Sequence, residues 1–354
     1  MRAALAVVVI LSGCGGANPT GGSTASPPAR PLATEVDPLK TPASATGRWM
    51  GAAVQASLLR NDPTYATAFA HHFNYVTAEY EMKWGQIERQ QGQRNYAPAD
   101  EITAFAVARG IRIKGHALLW HGDSPAWLEG LSNADARAAA IDHIRNTVGR
   151  YRGRLVAWDV VNEAIADDRG GFRDTVYLRK LGPGYVGDAF RLAHDADPEA
   201  LLIYNDYGGE GLSRKSDDVY ALVRDLVQQG VPIGGVGLQM HLDAASRPAT
   251  ADIARNVRRL AELGLLVNIS EMDVRVARVS GDLEAKLQEQ RRVYHDIIGV
   301  CVAEPRCHAV TLWGFTDAHS WIDQAFGADD PLPFDDAYRA KPAYFGIQEA
   351  LAGR

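Results

Sequence analysis

Short apolar runs recur along the chain, and longer helix-like stretches separate them. The runs are rich in β-branched and aliphatic residues, which is typical of buried parallel strands flanked by helices. Eight strands that alternate with helices predict one (β/α)8 TIM barrel of the α/β class. The predicted strands are Trp49–Val54, Tyr75–Ala78, Ile111–Leu118, Leu155–Val161, Leu201–Asn205, Gly235–Met240, Leu265–Ser270 and Ala309–Trp313. Examples of the predicted helices are Ala99–Ala108, Asn133–Tyr151, Tyr185–Ala196, Lys215–Gln229, Thr250–Leu263 and Leu283–Val300.

The N-terminal residues 1–14 have the features of an export signal. Met1-Arg2 precedes an apolar run that is too short to span a bilayer, and Leu11-Ser12-Gly13-Cys14 follows directly. This tetrapeptide resembles the bacterial lipobox, whose cysteine is lipidated and becomes the mature N-terminus. We interpret residues 1–14 as a lipoprotein-type signal peptide with Cys14 as the lipidation site. An ordinary secretory signal that carries a cysteine is the alternative.

The next segment, residues 15–47, is rich in Gly, Pro, Ala, Ser and Thr and poor in large apolar residues. Such a composition buries too little surface to offset its ordering entropy, so we predict a flexible linker. The folded domain is then expected over residues 48–354. The protein is expected to be exported, either anchored to a membrane through a lipid on Cys14 or secreted.

Charge and cysteine content narrow the function further. The chain has 37 basic and 43 acidic residues, a net charge of -6, and no basic stripe, so nucleic acid is not an expected partner. Apart from Cys14, the cysteines are Cys301 and Cys307. In an exported protein this pair predicts a disulfide that closes a small loop before the last strand, with two buried free thiols as the alternative.

Two glutamates carry the strongest chemical signal. Glu163 follows the apolar run Leu155–Val161, and Glu271 follows the run Leu265–Ile269. A carboxylate at the C-terminal end of a buried parallel strand has no packing use, and in a barrel this end carries catalysis. Glycoside hydrolysis needs two such carboxylates that converge on one cleft. A pair of salt-bridged structural acids is the alternative interpretation.

Further polar and aromatic residues follow seven successive predicted strands. Burying so many of them without partners would cost too much free energy, so they are expected to line a polar cleft with aromatic walls. Such a cleft suits a sugar, which offers hydroxyls to hydrogen-bond and C–H faces to stack. The residues are Glu79, Lys83, His116, Trp120, His121, Asn162, Glu163, Asn205, Tyr207, Gln239, His241, Glu271, Asp273, Trp313, Asp317, His319 and Trp321.

The motifs that contain these residues resemble those of glycoside hydrolase family 10, the endo-β-1,4-xylanase family. The resemblance extends from Trp49 to the C-terminus. Each motif alone is moderately specific, and all of them in the same order are very specific. The segments that carry the resemblance are Trp49–Ala53, Glu79–Trp84, Gly115–His121, Trp158–Glu163, Tyr204–Tyr207, Gly237–His241, Ile269–Asp273 and Thr311–Trp321.

The resemblance implies a retaining mechanism. Glu271 is expected to be the nucleophile, and Glu163 the acid that protonates the leaving oxygen and then the base that activates water. Asn162 is expected to contact the sugar 2-hydroxyl, and His241 to orient Glu271 with Asp273 behind it. No cofactor or metal is expected. The remaining residues expected to bind substrate are Glu79, Tyr80, Lys83, His116, Trp120, His121, Asp123, Asn205, Tyr207, Gln239, Trp313 and Trp321.

Two positions depart from the family pattern. Tyr80 stands where the family usually has Asn, and Asp123 stands where it usually has Gln. Both positions are expected to bind the sugar one unit beyond the reacting one, and both changes alter side-chain volume and donor number. The expected substrate is xylan or a xylo-oligosaccharide. The departures keep open a family member that acts on another β-1,4-glycan or on decorated xylan.

Two other classes of protein are alternatives to a glycoside hydrolase. A non-catalytic, lipid-tethered glycan-binding barrel should lack one of the two glutamates, and this chain has both. A metal-dependent barrel hydrolase would use His116, His121, His241 and His319, but such barrels usually carry histidines on the first strand, and Trp49–Val54 has none. We expect the protein to be a monomer.

Overall fold

The computed structural model describes residues 29–354, so the predicted signal peptide, Cys14 and the first part of the predicted linker lie outside the described residues. The strands are β1 (Trp49–Val54), β2 (Tyr75–Ala78), β3 (Arg112–Trp120), β4 (Ala157–Asn162), β5 (Leu201–Asp206), β6 (Gly235–Leu238), β7 (His241–Asp243), β8 (Leu266–Arg275) and β9 (Cys307–Leu312). The α-helices are α1 (Lys40–Ala45), α2 (Ala56–Asn61), α3 (Pro63–His72), α4 (Trp84–Ile87), α5 (Ala97–Val107), α6 (Asn133–Tyr151), α7 (Val176–Leu181), α8 (Tyr185–Ala196), α9 (Arg214–Gln228), α10 (Thr250–Glu262), α11 (Leu283–Ala303), α12 (Ile322–Phe326) and α13 (Pro342–Leu351). Short 3-10 helices cover Ala33–Glu35, His121–Asp123, Ala126–Gly130 and Asp317–His319.

Eight parallel strands close into a barrel, which confirms the predicted (β/α)8 fold. Around the barrel the strands follow the order β6-β5-β4-β3-β2-β1-β9-β8, and pairing of β6 with β8 closes the ring. Helices α5, α8 and α10 pack against β3, β4 and β8 on the outside. Because all eight strands are parallel, their C-terminal ends meet at one face, where active sites of this architecture lie.

Five of the helices between the strands, α3, α6, α7, α9 and α11, begin at a polar residue whose side chain caps the first turn. Asp62 accepts hydrogen bonds from Thr64 N and Tyr65 N at the start of α3, whose first residue is a proline. Ser132 accepts from Asp135 N at the start of α6. Such caps satisfy N–H groups that the first helical turn leaves without partners. Helix α6 has the bounds that the sequence predicted, Asn133–Tyr151.

Strand β8 is longer than the sequence predicted. The predicted strand ends at Ser270 and places Glu271 after it, whereas β8 continues to Arg275. The pairing of β8 with β9 becomes irregular between Ile269 and Met272, and β8 then runs beside β7, which supplies new backbone partners. Glu271 and Arg275 are four residues apart in the same strand, and side chains an even number of residues apart face the same side of a strand.

The N-terminal boundary of the domain also differs from the prediction. Residues 31–47, expected to be part of a flexible linker, belong to the same compact unit as the barrel. Leu39 and Ala43 are fully buried, and Ala33 N donates to Tyr338 O at 2.7 Å. The linker prediction is wrong for residues 31–47. A few apolar side chains are enough to hold this segment in a fixed position, because the barrel offers a surface on which they pack.

The predicted disulfide is confirmed. Cys301 and Cys307 are bonded, with their Cα atoms 5.1 Å apart, and link the end of α11 to the start of β9. Within residues 29–354, none of the helices is long and apolar enough to cross a membrane.

Burial of Leu39 makes the packing of the N-terminal segment testable. Leu39→Ala should lower the free energy of unfolding by about 2–5 kcal/mol, because it removes a fully buried side chain and leaves a cavity. Leu32→Ala is the matched control, because Leu32 is 37% exposed, and it should cost well under half as much. Urea unfolding followed by circular dichroism measures both. Equal, small losses would show that this segment does not pack on the barrel in solution.

Candidate active site

The C-terminal face of the barrel contains an open cleft of about 540 Å³. Most of the residues that the sequence assigned to the site line it together, although they come from strands far apart in the chain. The lining residues are Tyr80, Lys83, His116, Trp120, Asn162, Glu163, Tyr207, Gln239, His241, Glu271, Arg275, Trp313, Trp321, Ile322 and Phe326.

Glu163 stands at a turn in the chain directly after β4. Its φ of 59° lies in the left-handed region, which a residue with a side chain adopts only at an energetic cost. Three hydrogen bonds hold this conformation: Glu163 N donates to Asn205 O at 2.9 Å, Ala164 N to Tyr204 Oη at 3.1 Å, and Arg173 Nε to Glu163 O at 3.2 Å. The position of the Glu163 carboxylate is therefore fixed by the backbone and not only by its own side-chain rotamer.

Three side-chain amides connect the two carboxylates. Gln239 Nε2 donates to Glu163 Oε1 at 3.0 Å and to Asn162 Oδ1 at 3.2 Å. Asn205 Nδ2 donates to Asn162 Oδ1 at 2.8 Å and to Glu271 Oε1 at 2.6 Å. Glu163 and Glu271 thus belong to one buried hydrogen-bond network that passes through Asn162.

His241 connects Glu271 to a second acid. Its Nδ1 lies 2.8 Å from Asp273 Oδ2, and its Nε2 lies 3.3 Å from Glu271 Oε2. Trp321 Nε1 donates to the same oxygen of Asp273 at 2.8 Å. Burial disfavours the charged imidazolium, but the charges of Asp273 and Glu271 outweigh it and raise the pKa of His241 to about 10. At neutral pH the ring is therefore a cation that donates a hydrogen bond to each carboxylate.

Glu271 is held in its ionised form. Burial alone would raise its pKa, but the field of His116 and the hydrogen bond and charge of His241 outweigh burial, so the pKa of Glu271 lies below its usual value. An ionised, buried carboxylate is what a nucleophile needs, because the reacting oxygen must carry an available lone pair.

A buried ion pair lies close to Glu271 and is connected to it through His116. Lys114 Nζ is 2.7 Å from Asp159 Oδ2, and His116 Nδ1 is 2.9 Å from the same oxygen. His116 Nδ1 is also 3.8 Å from Glu271 Oε1. His116, Asp159 and Glu271 lie close enough to hold a metal ion, but Asp159 Oδ2 already interacts with both the ammonium and the imidazole. Lys114 supplies the positive charge that a metal would otherwise bring.

The other histidines of the metal-dependent interpretation lie elsewhere. His121 Nδ1 is 4.0 Å from Glu163 Oε2, and His319 Nε2 is 3.5 Å from Tyr338 Oη. In the described part of the chain the four rings therefore do not form one donor cluster. The geometry favours the two-carboxylate interpretation of the cleft.

Aromatic rings and one lysine form a wall of the cleft. Lys83 Nζ lies 4.4 Å from the ring centroid of Trp120, 4.8 Å from that of Tyr80 and 5.9 Å from that of Trp313. Burial lowers the pKa of Lys83. Trp120 Nε1 is buried and has no hydrogen-bond partner within residues 29–354, so it is free to donate to a ligand.

Four of the residues expected to bind substrate are absent from the cleft lining: Glu79, His121, Asp123 and Asn205. Glu79 is buried and its Oε2 accepts from Gln55 Nε2 at 3.1 Å. Asp123 Oδ2 accepts from Gln86 Nε2 at 2.7 Å, so this acid does not need a sugar hydroxyl as its donor. Of the two departures from the family pattern, only Tyr80 lines the cleft.

Three lining residues were not predicted: Arg275, Ile322 and Phe326. Arg275 was missed because the predicted strand ended at Ser270, five residues too early. Polar residues at 271, 273 and 275 alternate with apolar residues at 272 and 274, and this strand-like pattern could have predicted that Arg275 faces the cleft. Ile322 and Phe326 lie in the short helix α12, for which no helix was predicted.

Comparison with known proteins gives the family. The model of glycosyl hydrolase family 10 matches residues 38–350. Endo-1,4-beta-xylanase B of Thermotoga neapolitana is 38% identical over 290 residues, which cover 81% of this chain and 83% of that protein. Endo-1,4-beta-xylanase B of Paenibacillus barcinonensis is 38% identical over 319 residues, which cover 84% and 94%. The chain belongs to glycosyl hydrolase family 10 and is a glycoside hydrolase.

Solved structures agree with this assignment. Xylanase 10B of Thermotoga petrophila, in complex with xylobiose, superposes with a TM-score of 0.85 at 36% identity, covering 89% of this chain and 97% of that one. Native xylanase 10B of Thermotoga maritima gives a TM-score of 0.85 at 37% identity, covering 89% and 98%.

The charge state of His241 can be measured. With a pKa near 10, raised from about 6.5, its ring should stay protonated through neutral pH. A raised pKa means that its contribution to stability is complete below about pH 6.5 and is lost as the pH rises towards 10. Asp273→Asn should lower the pKa, because it removes the nearest negative charge. Nitrogen-15 NMR of the ring checks both, and titration near or below pH 6.5 in the unmutated protein would contradict this electrostatic picture.

Proposed function

We propose that this protein is a retaining endo-β-1,4-xylanase, which hydrolyses internal β-1,4-xylosidic bonds of xylan by double displacement. The observation that carries the proposal is the network in which three amides join Glu163 to Glu271 on the floor of one aromatic-walled cleft. The names of the similar proteins, which are endo-1,4-beta-xylanases, support xylan as the substrate.

In the first step Glu271 attacks the anomeric carbon while Glu163 protonates the leaving oxygen. The division of roles follows from the surroundings of each acid. Glu271 interacts with the imidazolium of His241 and with the amide of Asn205, and both favour its charged form. Among the described residues, the hydrogen bonds to the Glu163 carboxylate come from two neutral amides, those of Asn162 and Gln239, and from no charged group. Glu163 is also the more exposed of the two acids, at 9% against 4%.

In the second step Glu163 acts as a base and activates a water molecule. Formation of the glycosyl ester removes the negative charge of Glu271, and the leaving group has already taken the proton of Glu163. The Glu163 carboxylate can then accept a proton from water, which attacks the anomeric carbon and releases Glu271. Two inversions at this carbon give net retention of configuration.

Asn162 is suited to bind the sugar 2-hydroxyl. Its Nδ2 carries two hydrogens, one of which is directed to Glu163 Oε1 at 3.2 Å, and its Oδ1 is occupied by two amide donors. Within residues 29–354 the second hydrogen has no hydrogen-bond partner, and Asn162 lines the cleft, so this hydrogen is available to a sugar hydroxyl. Trp313 and Trp321 then provide flat apolar surfaces for the sugar rings.

We also propose that the protein is exported and tethered. This proposal depends on the lipobox-like segment that ends at Cys14 and on the small-residue segment after it. The disulfide between Cys301 and Cys307 supports export, because disulfides persist mainly in oxidising compartments.

Substitution of the two acids, combined with a substrate panel, tests the proposed activity. Glu271→Ala should abolish hydrolysis of xylan, and Glu163→Ala should reduce it by roughly 10²–10⁴-fold, as expected for loss of a general acid and base. Glu163→Ala should lose less in the glycosylation step of aryl xylosides, whose leaving groups need little protonation. The measurement is kcat/KM on xylan, xylo-oligosaccharides and cello-oligosaccharides.

Glu262→Ala is the matched control, because Glu262 is exposed on α10, outside the cleft, and its loss should leave kcat/KM unchanged. A preference for cello-oligosaccharides would contradict xylan as the substrate. Activity that a chelator removes would favour the metal-dependent class. Full activity of Glu271→Ala would refute the assignment of the nucleophile.

A further inference from the structure

Arg275 lines the catalytic cleft without a carboxylate partner. Within residues 29–354 its guanidinium forms no ion pair and no side-chain hydrogen bond, and its recorded contact is with the Phe326 ring, 4.1 Å from the centroid. The Phe326 ring is 59% exposed and lies 5.7 Å from that of Trp321. An arginine in this position is thus half-buried in the cleft and stacked on an open aromatic face.

The carboxylates near Arg275 interact with other groups. Asp243 stands opposite Arg275 in the pairing of β7 with β8, but its Oδ2 pairs with Arg278 at 3.0 Å and its Oδ1 accepts from Ala245 N at 2.9 Å. Asp329, on the far side, accepts from Val276 N at 2.8 Å and from the next backbone N–H. Neither of these two carboxylates forms an ion pair with Arg275 in the described part of the chain.

The contact with Phe326 leaves the N–H donors of the guanidinium available. The Cζ atom of Arg275 lies over the Phe326 ring, and this contact requires none of the five N–H donors of the group. A guanidinium held in this way is prepared to bind a carboxylate through two parallel hydrogen bonds. A neutral sugar hydroxyl would use one donor and leave the charge uncompensated.

A series of contacts connects Arg275 to the surroundings of Glu271 within the same cleft. Ring contacts lead from His241, which donates to Glu271, to Trp321 at 5.0 Å and from Trp321 to Phe326. Arg275 thus ends an aromatic wall that begins at the nucleophile. Lys83 also lines the cleft, but it lies in the field of Glu271 and other acids, which compensate its charge.

From this geometry we propose that Arg275 and Phe326 form a subsite for a carboxylate-bearing sugar, so that the preferred substrate is a glycan with uronic acid branches. This inference rests on the proposed function and specifies its substrate class. The carboxylate of the branch binds the edge of the Arg275 guanidinium, and the ring of the branch lies against Phe326. The main chain occupies the cleft between Glu163 and Glu271 as in an unbranched substrate.

Two oligosaccharides that differ only at the carboxylate test the subsite. One is a β-1,4-xylo-oligosaccharide with a single glucuronosyl branch, and the other is the same compound after reduction of the carboxyl to an alcohol. The measurement is the ratio of kcat/KM on the acid to kcat/KM on the reduced form. The ratio in the unmutated protein should be about tenfold or more, as expected for a charge-assisted bidentate pair, and it should fall as salt is added.

Arg275→Met removes the charge and keeps much of the side-chain volume, so the ratio should fall to near one. Phe326→Leu keeps the charge but removes the stacking surface, and the ratio should fall part of the way. Arg292→Met is the matched control, because Arg292 lies on α11 outside the cleft and pairs with Asp296, so the ratio should not change.

The outcomes separate this inference from the proposed function. A ratio near one in the unmutated protein, or a ratio that Arg275→Met leaves unchanged, would overturn the carboxylate subsite while unbranched xylan is still cleaved. Failure of the unmutated protein to cleave unbranched xylan and both oligosaccharides would overturn the proposed function, and this inference with it. A higher ratio in Phe326→Leu would contradict the role of the stacking platform.

Discussion

Glu271 is a carboxylate almost completely removed from water, and its charge must be balanced within the protein. The cation of His241, the amide of Asn205 and the field of His116 together provide this balance. Each of these groups in turn needs its own partner: Asp273 for His241, Ser270 for Asn205, and Asp159 with Lys114 for His116. The polar interior of the barrel is thus a set of partners arranged around one buried negative charge.

The barrel makes this arrangement possible because it brings distant parts of the chain to one face. Lys114 and His116 come from β3, Asp159 from β4, Asn205 from β5 and Glu271 from β8. Parallel strands that close into a ring place their C-terminal ends together, so six or more strands can each contribute one polar side chain. The irregular backbone lies at the same face. Glu163 has a positive φ, and the pairing of β8 with β9 is irregular beside Glu271.

Much of this organisation could be predicted from the sequence. The alternation of strands and helices gave the barrel, and the motifs at the strand ends gave Glu163, Glu271 and most of the cleft lining. These features are local, since each depends on a short run of residues and on the periodicity of its neighbours. The disulfide was predicted from the pair Cys301 and Cys307 on the expectation that the chain is exported.

What the sequence did not reveal depends on partners that are distant in the chain. Strand β8 extends to Arg275 because β7 pairs with it, and the alternation of polar and apolar residues after Glu271 permits this longer strand but does not identify its partner. Residues 31–47 fold because the barrel offers them a surface. Asp123 is paired with Gln86 and lies outside the cleft lining, although its motif suggested a sugar contact. In each case the structure of the segment is set by contacts with residues distant in the sequence.

The central claim is that Glu271 acts as a nucleophile and Glu163 as acid and base in two successive displacements. Proton NMR of the first product released from a xylo-oligosaccharide, recorded before the anomers equilibrate, tests this claim most directly. The account predicts that the new reducing end appears as the β anomer and converts to the α anomer only later. An α anomer as the first product would mean a single displacement by water, and it would contradict the roles assigned to both glutamates.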